Sequence, residues 1–271
     1  MIAISSRWLP AIVALACAGL PVCGQAQLLL AASDAPVGTP PAAAASSATA
    51  TPAGDDEFVD EYASAVPQVR DPLERINRTM FKFNNSVYDR VLTPLAHGYE
   101  NVVPRLARRG IRSFFDNVHF PVRLLACVME GKVDRAASET GKFVVNSTVG
   151  LAGFIRVSDR FPALRVPEED LGQAFGKWGF GHGPFLVLPV LGPSSVRDGI
   201  GSLCDYYATP TRWHFMQSYD WEVRWGVPTI DTLSSLPEIL GTYNSLRKAA
   251  VDPYIAFRNG YIQYRDGQLK E

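Results

Sequence analysis

DPLERINRTMFKFNNSVYDRV, residues 71–91, decides the fold class. Asp71 and Pro72 read as an N-cap and a first helical position: the carboxylate accepts from amides that lack an intrahelical partner, and proline has no N–H to lose there. Behind them Leu73, Ile76, Met80, Phe83, Val87 and Val91 recur at steps of three and four, with Glu74, Arg75, Asn77, Arg78, Lys82, Asn85 and Asp89 between. That period belongs to an amphipathic α-helix. Asp252-Pro253 repeats the start signal, and the helix behind it carries the aromatic stripe Tyr254, Phe257, Tyr261 and Tyr264, which fits a core or a lipid-facing belt. Between these two, Pro104 opens another helix, residues 120–132 form a mostly apolar one begun by Pro121, and residues 133–154 form one that breaks up near Gly150 and Gly153. The chain is therefore mainly α, a bundle of amphipathic helices.

One segment breaks the pattern. GKWGFGHGPFLVLPVLGPSSVRD, residues 176–198, spends five glycines and three prolines on 23 positions. Glycine weakens a helix or strand interior, and proline removes a donor, so this is an irregular loop, or one or two short extended pieces with a turn at Leu191-Gly192-Pro193-Ser194. Loops are normally polar, yet this one carries Trp178, Phe180, Phe185, Leu186, Val187, Leu188, Val190 and Leu191. It is either buried or faces something apolar.

Length and charge set bounds. The 271 residues carry a net charge of −1, which gives no basic field for nucleic acid. Residues 1–16 hold one positive charge, Arg7, and an apolar run, the pattern of an export signal. Ala14-Leu15-Ala16-Cys17 is similar to a bacterial lipobox, in which Cys17 is lipidated. Ordinary cleavage near Ala16 or Ala26, leaving a soluble periplasmic protein, is the alternative. Residues 17–66 form an Ala/Pro-rich tether without the apolar period of a packed element, and residues 67–271 form the folded domain. Cys127 and Cys204 stand in apolar contexts suited to buried thiols, with pairing as the alternative. Trp213, Trp221 and Trp225 cluster in residues 211–225, in keeping with a membrane interface or a core.

No catalytic constellation is present. His97, His119, His182 and His214 are scattered, without the one-turn spacing of helical metal ligands, and neither a nucleophile elbow nor a phosphate-binding glycine loop occurs. The chain reads as a non-enzyme with no metal and no cofactor. A distinct charge pattern lies in RLARRGIRSFF, where Arg105, Arg108, Arg109 and Arg112 share one helix face. Such a face suits phosphate, acidic head groups or an acidic protein partner, or is solvated and paired to local carboxylates.

DPLERINRTMFKFN (71–84), FVVNSTVGLAGF (143–154), LGQAFGKWGFGHGPFLVLPVLGPSSVRDGIG (171–201) and DPYIAFRNGYIQY (252–264) together resemble the MlaA (VacJ) family of outer-membrane phospholipid-transport lipoproteins. The resemblance implies a ring-shaped bundle of interfacial helices in the inner leaflet of the outer membrane, facing the periplasm. It implies a passive amphipathic channel that removes phospholipids mislocalised to the outer leaflet and passes them to a soluble periplasmic carrier, beside trimeric porins. On that reading Trp178, Gly179, Phe180, Gly181, Gly183, Pro184 and Phe185 form a channel wall or rim that Phe81, Phe83 and Asn84 support, and Arg197 joins the four arginines in head-group or partner contact. A periplasmic lipid-binding module with a closed pocket is the alternative.

Overall fold

The computed structural model describes residues 71–210 and 221–270, the side chains of 221–225 excepted. The signal segment, Cys17, the tether and the side chains of Trp213, Trp221 and Trp225 lie outside the described residues. Helix dominates. The described elements are α1 (Glu74–Val87), a π-helical turn (Tyr88–Leu92), α2 (Thr93–Val102), α3 (Arg105–Val118), α4 (Phe120–Glu130), α5 (Val133–Thr148), α6 (Leu171–Lys177), β1 (Phe185–Leu188), β2 (Gly192–Ser195), α7 (Val196–Ala208), α8 (Trp221–Ala249) and α9 (Pro253–Lys270).

Local chemistry explains most boundaries. Pro94 cannot donate to the carbonyl four residues earlier and its ring crowds that position, so the backbone widens into the π-helical turn before α2. Gly131 closes α4 at φ 75°, and Leu151, Ala152 and Gly153 follow α5 at φ 53°, 59° and 97°, which ends that helix where the glycines stand. Asp252 caps α9 as expected, its Oδ1 accepting from the Ile255 amide at 3.2 Å. Asp71 does not cap α1, which starts at Glu74. Its carboxylate accepts instead from the Leu73 amide at 2.9 Å, from Asn77 Nδ2 at 3.1 Å and from the Tyr254 hydroxyl, so a tertiary contact takes the capping oxygen.

The 176–198 segment contains a hairpin. β1 and β2 pair antiparallel, with Phe185 opposite Ser195 and Leu188 opposite Gly192. The turn falls at Pro189-Val190-Leu191 rather than at Leu191–Ser194, because Gly192-Pro193-Ser194-Ser195 is extended and the reversal is carried by Val190 at φ 64°. Two asparagines of α1 hold it. Asn77 donates to the Phe185 carbonyl at 2.9 Å and accepts from the Val187 amide at 3.0 Å. One heptad on, Asn84 donates to the Leu188 carbonyl at 2.8 Å and accepts from the Val190 amide at 2.7 Å, while the Tyr88 hydroxyl donates to the Val190 carbonyl at 2.6 Å.

The apolar stripe of α1 is therefore split: Met80 and Val87 pack against the core, but asparagines rather than Ile76 and Phe83 take the most buried positions. Asn77 and Asn84 are each 1 % exposed, whereas Ile76 and Phe83 are 61 % and 50 % exposed. The core lies between α1, the hairpin, α8 and α9, and contains Phe81, Tyr88, Phe185, Val187, Leu240, Tyr243, Tyr254, Phe257 and Tyr261. Tyr254, Phe257 and Tyr261 of the α9 stripe thus pack inward, and Phe81 meets Tyr254 edge-on at 5.9 Å between ring centres. Cys127 and Cys204 are both free, Cys127 fully buried, with burial raising its thiol to about 11.

Replacing Asn77 or Asn84 by alanine leaves a strand amide and a carbonyl without partners, at about 1–3 kcal/mol for each unsatisfied group. Either variant is expected to unfold at clearly lower denaturant concentration than the parent chain, while Phe83→Ala, on the exposed side, shifts the midpoint little.

Candidate functional site

The glycine-rich segment before β1 and the first turns of α7 enclose an apolar cleft of about 430 Å³, lined by Phe175, Trp178, Phe180, Gly181, His182, Gly183, Pro184, Val196, Arg197 and Ile200. Gly179 and Gly183 have φ of 91° and 67°, values that let the backbone curl around the opening. Trp178 is fixed by its indole N–H, which donates to the Met129 carbonyl at 2.9 Å, so the ring stands as a wall although it is exposed. Phe175 packs against both Trp178 and Phe180. His182 Nε2 meets Asp266 Oδ1 at 2.8 Å at the polar end of the cleft.

α7 turns its residues inside out. Arg197, Asp198, Gly201 and Asp205 are buried, while Val196, Ile200, Leu203 and Tyr207 make an exposed apolar stripe that continues from the cleft. α5 does likewise, burying Glu139 and Asn146 and exposing Val133 and Val144, with Val149 exposed just past its end. Beneath α7 a charge network holds α6, α7 and α9 together. Asp198 receives Arg197 Nε at 2.8 Å, Arg265 Nε at 2.9 Å and the Tyr261 hydroxyl, and Arg265 Nη1 donates to Asp170 Oδ2 at 2.6 Å. Burial works to raise the Asp198 carboxyl, but Arg265 and Arg197 outweigh it and hold the group well below the usual carboxylate range. Gly201 is needed here, since a Cβ on it would lie 2.4 Å from the Gly172 amide nitrogen.

A second cleft, of about 320 Å³, lies between α2, α3 and α8 and is lined by Arg105, Arg108, Arg109 and Arg112 together with Glu100, Ser234, Pro237 and Glu238. Arg108 pairs with Glu100 and Arg112 with Glu238. The hydrogen bond from Arg108 is the main reason the Glu100 carboxyl is lowered.

The structure thus brings Trp178, Phe180, Gly181, Gly183, Pro184 and Arg197 to one cleft and the four α3 arginines to another. It does not place Phe81, Asn84 or Phe185 on a cleft wall: all three are buried in the contact between α1 and the hairpin, and Phe83 is exposed on the other side of α1. Gly179 borders the first cleft without lining it. Arg197 forms the local ion pair with Asp198. Among the described residues no three His, Cys, Asp or Glu side chains converge as metal ligands, and no helix is long and apolar enough to cross a membrane.

Residues 69–268 match the model of the MlaA lipoprotein family. The chain belongs to that family. It is 32 % identical over 213 residues to the intermembrane phospholipid transport system lipoprotein MlaA of Haemophilus influenzae, covering 76 % of this chain and 84 % of that one. The MlaA of Escherichia coli is 31 % identical over 208 residues, covering 74 % and 80 %. A solved chain from work on the structural basis for maintenance of bacterial outer membrane lipid asymmetry superposes with a TM-score of 0.62 at 29 % identity, over 74 % of this chain and all of that chain. The expectation of a mainly helical chain agrees with this MlaA-family match; the segment expected as an irregular loop or short extended pieces holds a two-stranded hairpin.

Sequence reasoning missed Asn77 and the Asp170, Asp198, Asp205 and Arg265 network. The readable signal was an asparagine seven residues before Asn84, on the same face.

Among the described residues Asp205 forms no ion pair, Arg265 being engaged by Asp170 and Asp198, and its Oδ1 accepts from the Leu171 amide at 3.2 Å. Burial, with Asp170 adding repulsion, raises its carboxyl from 3.8 to about 8. Between those values the fold keeps a proton that the unfolded chain releases, so this group's contribution falls as pH rises from 3.8 to about 8. D205N keeps an acceptor for Leu171 and does not ionise. Its thermal midpoint is expected to gain on the parent's as pH is raised across that window, and parallel curves would contradict the assignment.

Proposed function

We propose that this chain moves phospholipids between the outer membrane and a soluble periplasmic carrier, keeping that membrane asymmetric, as a passive conduit and not an enzyme. The observation that carries the reading is the reversed polarity of three helices, α7 at the cleft and α1 and α5 outside its lining: they bury polar groups and expose Ile76, Phe83, Val133, Val144, Val196, Ile200, Leu203 and Tyr207. In water such a surface is a liability, because each exposed apolar side chain forgoes about 1.5–3 kcal/mol of burial. In a leaflet the same stripes meet acyl chains. Buried polar groups that are paired, as Asn77, Asn84, Asn146 and Asp198 are, recover much of their desolvation cost, and such pairing is the condition for irregular backbone at membrane depth.

The chain then sits in the inner leaflet of the outer membrane, facing the periplasm, helped by lipidation at Cys17 ahead of the Ala/Pro-rich segment. Trimeric porins are the proposed neighbours. The two relatives named for intermembrane phospholipid transport support the transport reading itself. The open aromatic cleft is the proposed entry for lipid. Its volume, about 430 Å³, is too small to enclose both tails of a phospholipid, which favours a passage over a closed-pocket carrier.

The test is the amount of phospholipid in the outer leaflet, read by an enzyme that acylates lipid only there. Deleting the gene is expected to raise it and restoring the gene to reverse the rise; no change on deletion would remove the transport role. Trp178→Asp with Phe180→Asp places charge in the cleft without touching the core. That variant is expected to restore the barrier poorly while its melting temperature stays near the parent's.

A further inference from the structure

α3 begins at Arg105 behind Pro104, with no side-chain cap and no acidic residue in its first turn. A helix start leaves amide donors without partners and a positive end to the helix dipole, both favourable to an anion. Onto this end the sequence adds four guanidinium groups. Glu100 and Glu238 neutralise Arg108 and Arg112, while Arg105 and Arg109 line the same cleft with no ion pair among the described residues. Arg108 Nε is moreover buried without a hydrogen-bond partner. Four positive groups against two negative ones leave the cleft with a surplus of two positive charges.

Two neighbours separate a lipid from a free ion. Val102, at the end of α2, and Leu106, next in sequence to Arg105, are each 82 % exposed, so apolar side chains outside the cleft's lining are available on the two helices that supply Glu100 and the arginines. A free phosphate has no use for them. A phospholipid brings a phosphate and, attached to it, apolar chain.

We propose that this cleft is a head-group site selective for anionic phospholipids, its phosphate taken by Arg105 and Arg109 and its upper acyl segment by Val102 and Leu106. The proposal rests on the phospholipid reading of the chain and adds to it a preference by charge. Arg105 and Arg109 act as the binding pair; Arg108 and Arg112, held by their glutamates, frame the cleft and set its width.

The test uses the whole purified protein in detergent and compares its binding to mixed micelles containing phosphatidylglycerol with binding to micelles containing phosphatidylcholine alone. The parent chain is expected to favour the anionic micelles. Replacing both Arg105 and Arg109 by alanine is expected to reduce that preference about 30-fold, which is about 2 kcal/mol at about 1 kcal/mol per basic residue near an anionic surface. Affinity for the neutral micelles should stay the same. Arginine-to-lysine replacement at both positions should keep most of the preference, because the charge remains. Val102→Asn with Leu106→Asn should weaken micelle binding without altering competition by inorganic phosphate. Equal binding of both micelle types overturns the site. Full displacement by inorganic phosphate at the affinity of the lipid assigns the cleft to free phosphate and overturns the lipid source. An unchanged lipid preference in the alanine variant, with loss only of binding to an acidic protein, reassigns the cleft to a protein partner. Each of these outcomes leaves the outer-leaflet assay in cells free to succeed, so failure of the site and failure of the transport reading are told apart.

Discussion

Two asparagine side chains bonded to a strand are the constraint on which the rest depends. A hairpin with strands of four residues is marginal on its own, and its open side carries amides and carbonyls that need partners. Asn77 and Asn84 supply them, each giving a donor and an acceptor as a neighbouring strand would. The spacing fits, because seven residues of helix rise about 10.5 Å and the three steps from Phe185 to Leu188 rise about 10 Å. With the hairpin fixed, Phe185 and Val187 are delivered to the aromatic core, and the preceding glycine segment is held over α7 as the roof of the apolar cleft.

The same contact shows where sequence reading succeeds and where it stops. Helix type and approximate extent were legible, because the step of three and four at Leu73, Ile76, Met80, Phe83 and Val87 holds whichever medium the apolar side meets. The direction of the helix was not. In water the stripe with Ile76 and Phe83 turns inward, and here Asn77, Phe81 and Asn84 do so. Periodicity reports that two faces differ; it does not say which one is solvated by lipid. The aromatic stripe of α9 was legible as a stripe, with core and lipid-facing belt left open; Tyr254 and Tyr261 enter the core with Phe257 because tyrosine carries its own hydroxyl donor, which they place on Asp71 and Asp198.

The candidate site divides in the same way. Glycine and proline density marked the cleft segment, since those residues force irregular backbone locally. The separation of Phe185 from the cleft was not legible, because alternation along a strand assigns a residue to one face only once the strand's register is known. The charge network was hidden for another reason. Asp170, Asp198 and Arg265 lie far apart in the chain, and each by itself looks like a surface residue or a cap.

These buried charges are what an inverted polarity requires. A helix that shows valine, isoleucine and leucine to its surroundings has polar side chains left for the interior, and these survive only if they pair with one another. Asp198 and Arg265 meet that demand with both carboxylate oxygens and all three guanidinium nitrogens engaged, Asp198 by Arg197 and Arg265 at 2.8 and 2.9 Å and Arg265 with Asp170 at 2.6 and 3.2 Å. The arginines of α3 follow the opposite logic: Arg105 and Arg109 line an open cleft, where water or a head group can solvate their charge. An apolar passage in one place and an exposed cationic cleft in another are the two environments an amphipathic molecule needs, and a single ladder of asparagines keeps the first of them open.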